Sequence, residues 1–251
     1  MVKMKYSKSK LLTHKNCGRM FYFSYLTSFG KDRHQHSEQL DKGKILHEIY
    51  ESYNTNPIKY NEYVEFIKDK EDYMDNLVGF HNILIKFGLD KATYNELFVY
   101  AEDINVHGYI DAIYIRPSEK DPTKKDVIVV DYKTGKFQSN KMADYRLELY
   151  IYEHLANHYI NQMNCTKDVK YVTHIGMFFT ANEEKSFIEE VKDFKRNNAM
   201  KKMNDIIDRI EQGDFTNLSK TMCRFCQFND ICAEFHDDVL IDIGDHVFQA
   251  V

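Results

Sequence analysis

The chain contains no tryptophan and only three prolines in 251 residues. It also has no apolar run approaching the roughly 18 residues of a membrane-spanning helix. The missing run excludes a helical membrane protein. The opening Met1-Val2-Lys3-Met4-Lys5-Tyr6 has no apolar h-region, so no secretory signal is expected. The expectation is a soluble cytoplasmic protein with no membrane partner, of cellular or phage origin. Excess positive charge is absent as well, the formal net charge being −5. That removes a global electrostatic case for nucleic acid but leaves room for a local basic groove. There is no Gly-x4-Gly-Lys-Ser/Thr loop, so no ATP-driven motor of that type is encoded. Internal repeats and low-complexity segments are also missing. The shortage of Pro and Trp beside many Lys, Asn, Ile and Tyr reads as an AT-rich coding bias and carries no functional weight. With 43% hydrophobic residues the chain has material for a substantial core.

Cysteine is sparse and unevenly placed. Cys17 and Cys165 stand alone, whereas Cys223, Cys226 and Cys232 form Cys-x2-Cys-x5-Cys. In an intracellular chain such a cluster is more often metal-binding than disulfide-forming. Cys165 reads as a buried thiol.

Periodicity orders the rest. Ser9 can cap a helix from Lys10 to Leu26. A second helix, 44–53, carries Leu46, Ile49, Tyr50 and Tyr53 at helical spacing, and Pro57 ends it. Residues 59–90 are charged and helical. The period then changes to that of strands at 96–102 and 106–115, around a turn near Asp103 and Asn105. After a polar loop comes the apolar run Val127-Ile128-Val129-Val130, leading to Asp131-Tyr132-Lys133-Thr134-Gly135. Three strands with short links predict an antiparallel meander. A helix at 143–161, strands at 171–180 and 185–191, and a helix at 193–212 stopped by Gly213 follow. The acidic tail 236–251 has no placement.

Residues two apart on a strand share a face, so Asp131 and Lys133 project together and Tyr132 turns away. Asp111, on the neighbouring strand, can join Asp131, and His47 on the second helix is a possible third ligand. Two carboxylates suit Mg²⁺ or Mn²⁺, and an imidazole tilts the preference toward Mn²⁺. A bound cation acidifies its water and neutralises charge on a phosphodiester, and a nearby Lys orients that water or stabilises the transition state. Each feature alone has a bland reading: Asp131 and Lys133 as an ion pair, Asp111 as a solvated strand-end acid, His47 as a surface or core residue.

Taken in order, Gly43-x-x-x-His47, Gly108-x-x-Asp111 and Asp131-Tyr132-Lys133-Thr134-Gly135 resemble the RecB-type nucleases of the PD-(D/E)XK superfamily. The segment from Tyr145 to Tyr152 resembles that family's Gln-x-x-x-Tyr motif, with Glu148 in place of Gln and Tyr152 matching. The resemblance implies an α/β fold with a restriction-endonuclease-like core, a mixed central β-sheet and flanking helices. Residues 1–251 would be a single nuclease domain, with 57–95 a helical insertion and 213–235 the cysteine segment. It also implies metal-dependent DNA cleavage, in exonucleolytic form on single-stranded ends, in recombination, repair or phage and CRISPR DNA processing. Asp111, Asp131, His47 and the Tyr132 carbonyl would hold the metal, and Lys133 would act on the water. Glu148, Tyr152 and Arg146 would support the site or meet DNA. Arg19, Lys136, Lys141, Phe137 and Tyr145 are weaker candidates for DNA contact.

Cys17 on an N-terminal helix with the later cysteine cluster is similar to the iron–sulfur nucleases of that superfamily, AddB-type enzymes and CRISPR-adaptation exonucleases among them. By that resemblance Cys17, Cys223, Cys226 and Cys232 hold a 4Fe-4S cluster joining the two ends of the chain. Gly18 stands where the family has Pro. Tetrahedral zinc on the same thiolates is the alternative. A helicase, recombinase or integrase is the expected kind of partner. The competing functional reading is a non-cleaving DNA-binding or assembly subunit of such a complex.

Overall fold

A computed structural model describes residues 4–32, 38–163, 171–218, 223 and 226–232. Cys165 and the 236–251 tail lie outside the described residues. The chain divides into two compact units, one of Met1–His36 with Met200–Val251 and one of Ser37–Ala199.

The first unit begins with β1 (Tyr6–Ser7), α1 (Lys8–Asn16), α2 (Gly18–Tyr25) and α3 (Phe29–Asp32). The single helix expected over 10–26 is therefore two, and its cap is Ser7, whose Oγ accepts the Lys10 N–H at 3.3 Å. The break falls at Cys17, in extended conformation with φ −160° and ψ 113°. Asn217 explains it. In a continuous helix the Gly18 N–H would bond to the His14 carbonyl. Here that N–H donates to the Asn217 carbonyl at 2.8 Å, and the Asn217 side-chain amide donates to the His14 carbonyl. One asparagine thus satisfies both groups that the break leaves open. A Cβ on Gly18 would lie 2.6 Å from Phe215 Cα, and proline would also forfeit the N–H. Gly18→Ala is therefore expected to destabilise by about 1–3 kcal/mol through overpacking, read as a lower denaturant midpoint. An unchanged midpoint would mean that residues 215–217 yield freely.

The second unit starts with α4 (Glu38–Thr55), α5 (Pro57–Ile67) and α6 (Glu71–Lys86). Pro57 does stop α4, but it also opens α5, at a position where a missing N–H is harmless. Asn56 caps α5 by accepting the Lys59 N–H at 3.1 Å. The meander follows as β2 (Tyr94–Ala101), β3 (Val106–Pro117) and β4 (Lys125–Lys133). Its first turn holds Asn105 at φ 53°, a left-handed value that asparagine tolerates. α7 (Met142–Met163) then leads to β5 (His174–Phe179), which runs parallel to β4, and β6 (Phe187–Glu190) returns antiparallel. α8 (Asp193–Glu211) is the last helix, and the division between Ala199 and Met200 falls within it. Within this unit the strand order is β2-β3-β4-β5-β6, a mixed sheet flanked by helices, as expected.

Leu46, Ile49 and Tyr50 of α4 and Leu77, Phe80 and Ile83 of α6 bury Tyr114, Ile128, Val130, Tyr132 and Phe178 of the sheet. α7 packs along β2 to β5. Alternation along β4 therefore sends Tyr132 under α4 and α6 and leaves Asp131 and Lys133 for α7.

Candidate active site

The site forms where the β2–β3 hairpin meets the end of β4. Asn95 pairs with Ala112 and Leu97 with Ile110, which sets Glu96 opposite Asp111. Glu96 has φ 44°. A non-glycine residue held there costs about 1–3 kcal/mol and persists only where its surroundings impose it. Asp111 is 8% exposed, and its Oδ2 accepts the Tyr132 N–H at 2.7 Å. This side chain takes over where the paired register of β3 and β4 stops at Ala112 and Val130. His47, from α4, brings Nδ1 to 3.4 Å from Glu96 Oε1 and 3.8 Å from Asp111 Oδ2. One ligand atom from each of His47, Glu96 and Asp111 lies within 4.8 Å of the others. A cleft of about 540 Å³ opens beside them, lined by His47 and Glu96 together with Gly43, Lys44, Glu48, Glu51 and Thr134.

Burial by itself would lower the His47 pKa, yet it is raised, because Asp111, Glu96 and Asp131 favour the imidazolium. A proton on His47 offsets acidic charge that a cation can also offset, so metal and proton compete for this group.

Lys133 has a different neighbourhood. Its Nζ lies 2.8 Å from Asp131 Oδ2 and 3.0 Å from Glu148 Oε2, and 5.4 Å from the Tyr145 ring centre. Asp131 is 1% exposed and Glu148 7%. The two partners reach the lysine from its own strand and from α7. Tyr132 joins the two halves, since its N–H binds Asp111 and its neighbours in sequence are Asp131 and Lys133.

The structure thus gathers His47 and Asp111, sets Asp131 and Glu148 on Lys133, and buries Tyr152 against Gly108, where a Cβ would come within 3.2 Å of its ring. Arg146 is elsewhere, with Nε 3.5 Å from Glu189 Oε1 and its guanidinium over Phe187. Among the weaker candidates, Tyr145 and Phe137 pack on Phe179. Glu96 was not expected from sequence. An acid on a half-exposed strand is unremarkable until the register sets it against Asp111.

The cysteines differ from expectation in spacing. Among the described residues no three sulfurs lie within 4.8 Å of one another. Four thiolates around one zinc at about 2.3 Å would stand only ~3.8 Å apart, so that closed tetrahedron is not formed. Tyr22, Phe23, Phe228 and Cys232 form a buried cluster against which Cys226 packs. The Cys226 thiol is pushed up by burial, and also by charge at Cys17, Cys232 and Cys223. Arg19 Nη1 lies 4.0 Å from Cys232 Sγ.

No described helix is long and apolar enough to cross a membrane. Comparison with curated proteins gave no match. Among solved structures the chain is similar to a protein of Eubacterium rectale described as a "putative exonuclease". The TM-score is 0.51 at 12% identity, over 90% of this chain and 88% of that one. At that identity the likeness speaks for the fold. A family model described as "PD-(D/E)XK nuclease superfamily" matches residues 60–233, well over half of the chain, with Asp111, Asp131, Lys133 and Glu148 inside the span. The chain belongs to the PD-(D/E)XK nuclease superfamily.

Proposed function

We propose that the protein is a divalent-metal-dependent deoxyribonuclease that degrades DNA from single-stranded ends. The observation that carries this reading is the His47–Glu96–Asp111 group linked through the Tyr132 peptide to Lys133. Glu96, Asp111, Asp131 and Glu148 put four carboxylates beside one lysine and one histidine, a donor set that fits Mg²⁺ or Mn²⁺. His47, Glu96 and Asp111 would hold the ion, with the Tyr132 carbonyl and Asp131 as further ligands. Bound there, the ion supplies charge neutralisation and a more acidic water. The Lys133 ammonium orients the attacking water and donates to a phosphoryl oxygen as charge develops on it. Asp131 and Glu148 hold that ammonium in place, and Tyr152 seats α7 against β3. Arg146, nearly half exposed, meets the DNA backbone farther along. The E. rectale protein's description supports the exonuclease mode, and a motor would come from a separate helicase, recombinase or integrase partner.

The test is cleavage of end-labelled linear DNA and of circular single-stranded DNA with Mn²⁺. Loss of label from linear strands with circles left whole is the expected result. Cutting of circles would replace the exonuclease reading with an endonuclease one. Binding without cleavage would favour the non-cleaving subunit.

We further propose that Cys17, Cys223, Cys226 and Cys232 hold a 4Fe-4S cluster. Cys226 feels the charge of the other three sulfurs, and a multi-iron cluster spaces its thiolates more widely than a single ion. Anaerobically purified protein is expected to be brown, with broad visible absorption that bleaches on reduction. Colourless protein containing zinc would overturn this assignment.

A further inference from the structure

Two large rings stand unburied next to the site. Phe98 of β2 is 51% exposed and Tyr109 of β3 is 58% exposed. The register pairs them directly, and their centroids are 5.1 Å apart. The His107 ring adds a third member, 5.9 Å from Phe98. The flanking residues Val99, Gly108 and Ile110 are buried, so the hairpin turns one side inward and offers the aromatic side to solvent. Packing has no use for these rings, since burying each would contribute favourably to folding.

Their position indicates the occupant. Phe98 and Tyr109 lie two residues from Glu96 and Asp111 on the same two strands, about 7 Å away at the usual strand rise. That span is about two base steps of a stacked strand at ~3.4 Å per nucleotide. A protein partner seated on the rings would crowd the group through which any substrate must pass. Nucleotides adjoining a phosphate held at that group come within reach of the rings. A base inside a duplex already has both faces stacked, whereas an unpaired base has faces free for a ring, whatever its identity.

We infer that Phe98 and Tyr109 form a stacking platform for the unpaired nucleotides adjoining the cleaved bond. The inference rests on the nuclease reading and gives that site its preference for single strands.

The absence of tryptophan provides the probe. Phe98→Trp introduces the sole indole, and oligo-dT is titrated without added divalent cation. Saturable quenching by oligo-dT, and none by a blunt duplex of equal length, is expected. Phe98→Ala with Tyr109→Ala is expected to raise the oligo-dT Kd roughly 10- to 100-fold by anisotropy. An unchanged unfolding midpoint would show that the loss is not one of folding. Unaltered emission with an unaltered Kd overturns the inference, as does a change in self-association in place of a change in DNA affinity. Hydrolysis of a small aryl phosphodiester by the wild type, which needs no strand binding, separates the two readings. If the wild type hydrolyses it and the platform variants bind DNA normally, only the platform falls. If it hydrolyses neither the ester nor DNA while quenching persists, the nuclease reading falls, and with it the platform's place beside a cleaved bond, leaving only a single-strand-binding surface.

Discussion

Lys133→Ala is expected to lower kcat about 100- to 1,000-fold, the usual effect of removing one donor aimed at developing negative charge. The same change leaves Asp131 and Glu148 facing each other without their ammonium. The Lys133 side chain is 23% exposed, Asp131 1% and Glu148 9%. Removing one member of such a buried set destabilises by about 3–5 kcal/mol. Lost activity alone would then be ambiguous, since a partly unfolded protein is also inactive. Adding Glu148→Gln to Lys133→Ala resolves this. The second change removes one of the stranded charges, so the double variant is expected to recover most of the lost stability and none of the activity. Thermal unfolding beside single-turnover cleavage reads both. If activity returned along with stability, Lys133 would be a structural counter-ion and its assigned role would be wrong. Glu148→Gln alone is expected to stay folded and active, because an amide oxygen can still accept from Lys133.

Asp111→Asn is the second large effect. Its oxygen can still accept the Tyr132 N–H, so the strand end is preserved, but the charge at the centre of the ligand group is gone. The wild type is expected to gain about 2.7 kcal/mol in Mn²⁺ at 100 times the Kd, and the variant close to nothing, with cleavage abolished. Without metal, and at a pH high enough for His47 to be neutral, the variant should be at least as stable as the wild type, because the repulsion between Glu96 and Asp111 is relieved; at lower pH it loses the imidazolium's main partner. The raised His47 pKa sets the pH dependence. Stability from the imidazolium is fully present below the ordinary pKa of about 6.5 and is lost as pH rises through the higher folded value. Metal binding needs the neutral ring, so Mn²⁺ affinity moves the opposite way, weakening as pH falls through that window. Calorimetric titration across mildly acidic to neutral pH checks this. A pH-independent affinity would remove His47 from the ligand set.

Much of the fold could be read locally. β3 and β4 show strand patterning, and α7 and α8 helical patterning, over segments long enough for near neighbours to reveal the period. Asp131 and Lys133 on one face followed from alternation alone. The split at Cys17 did not, because it depends on Asn217, two hundred residues along the chain. Pro57 was legible as an end but not as a beginning, since the same ring suits both.

The order of His47, Asp111, Asp131 and Lys133 along the chain was enough to indicate a nuclease through its resemblance to the PD-(D/E)XK superfamily, although each residue alone had a bland reading. Which atoms meet was decided by tertiary structure. Register sets Glu96 against Asp111, a left-handed φ holds Glu96 there, and α4 carries His47 to both. α7 gives Lys133 a second carboxylate, so the lysine is held between Asp131 and Glu148. Composition and period depend on residues a few positions apart. A ligand group depends on distances between elements, and those exist only once the sheet has chosen its register and the helices have packed on it.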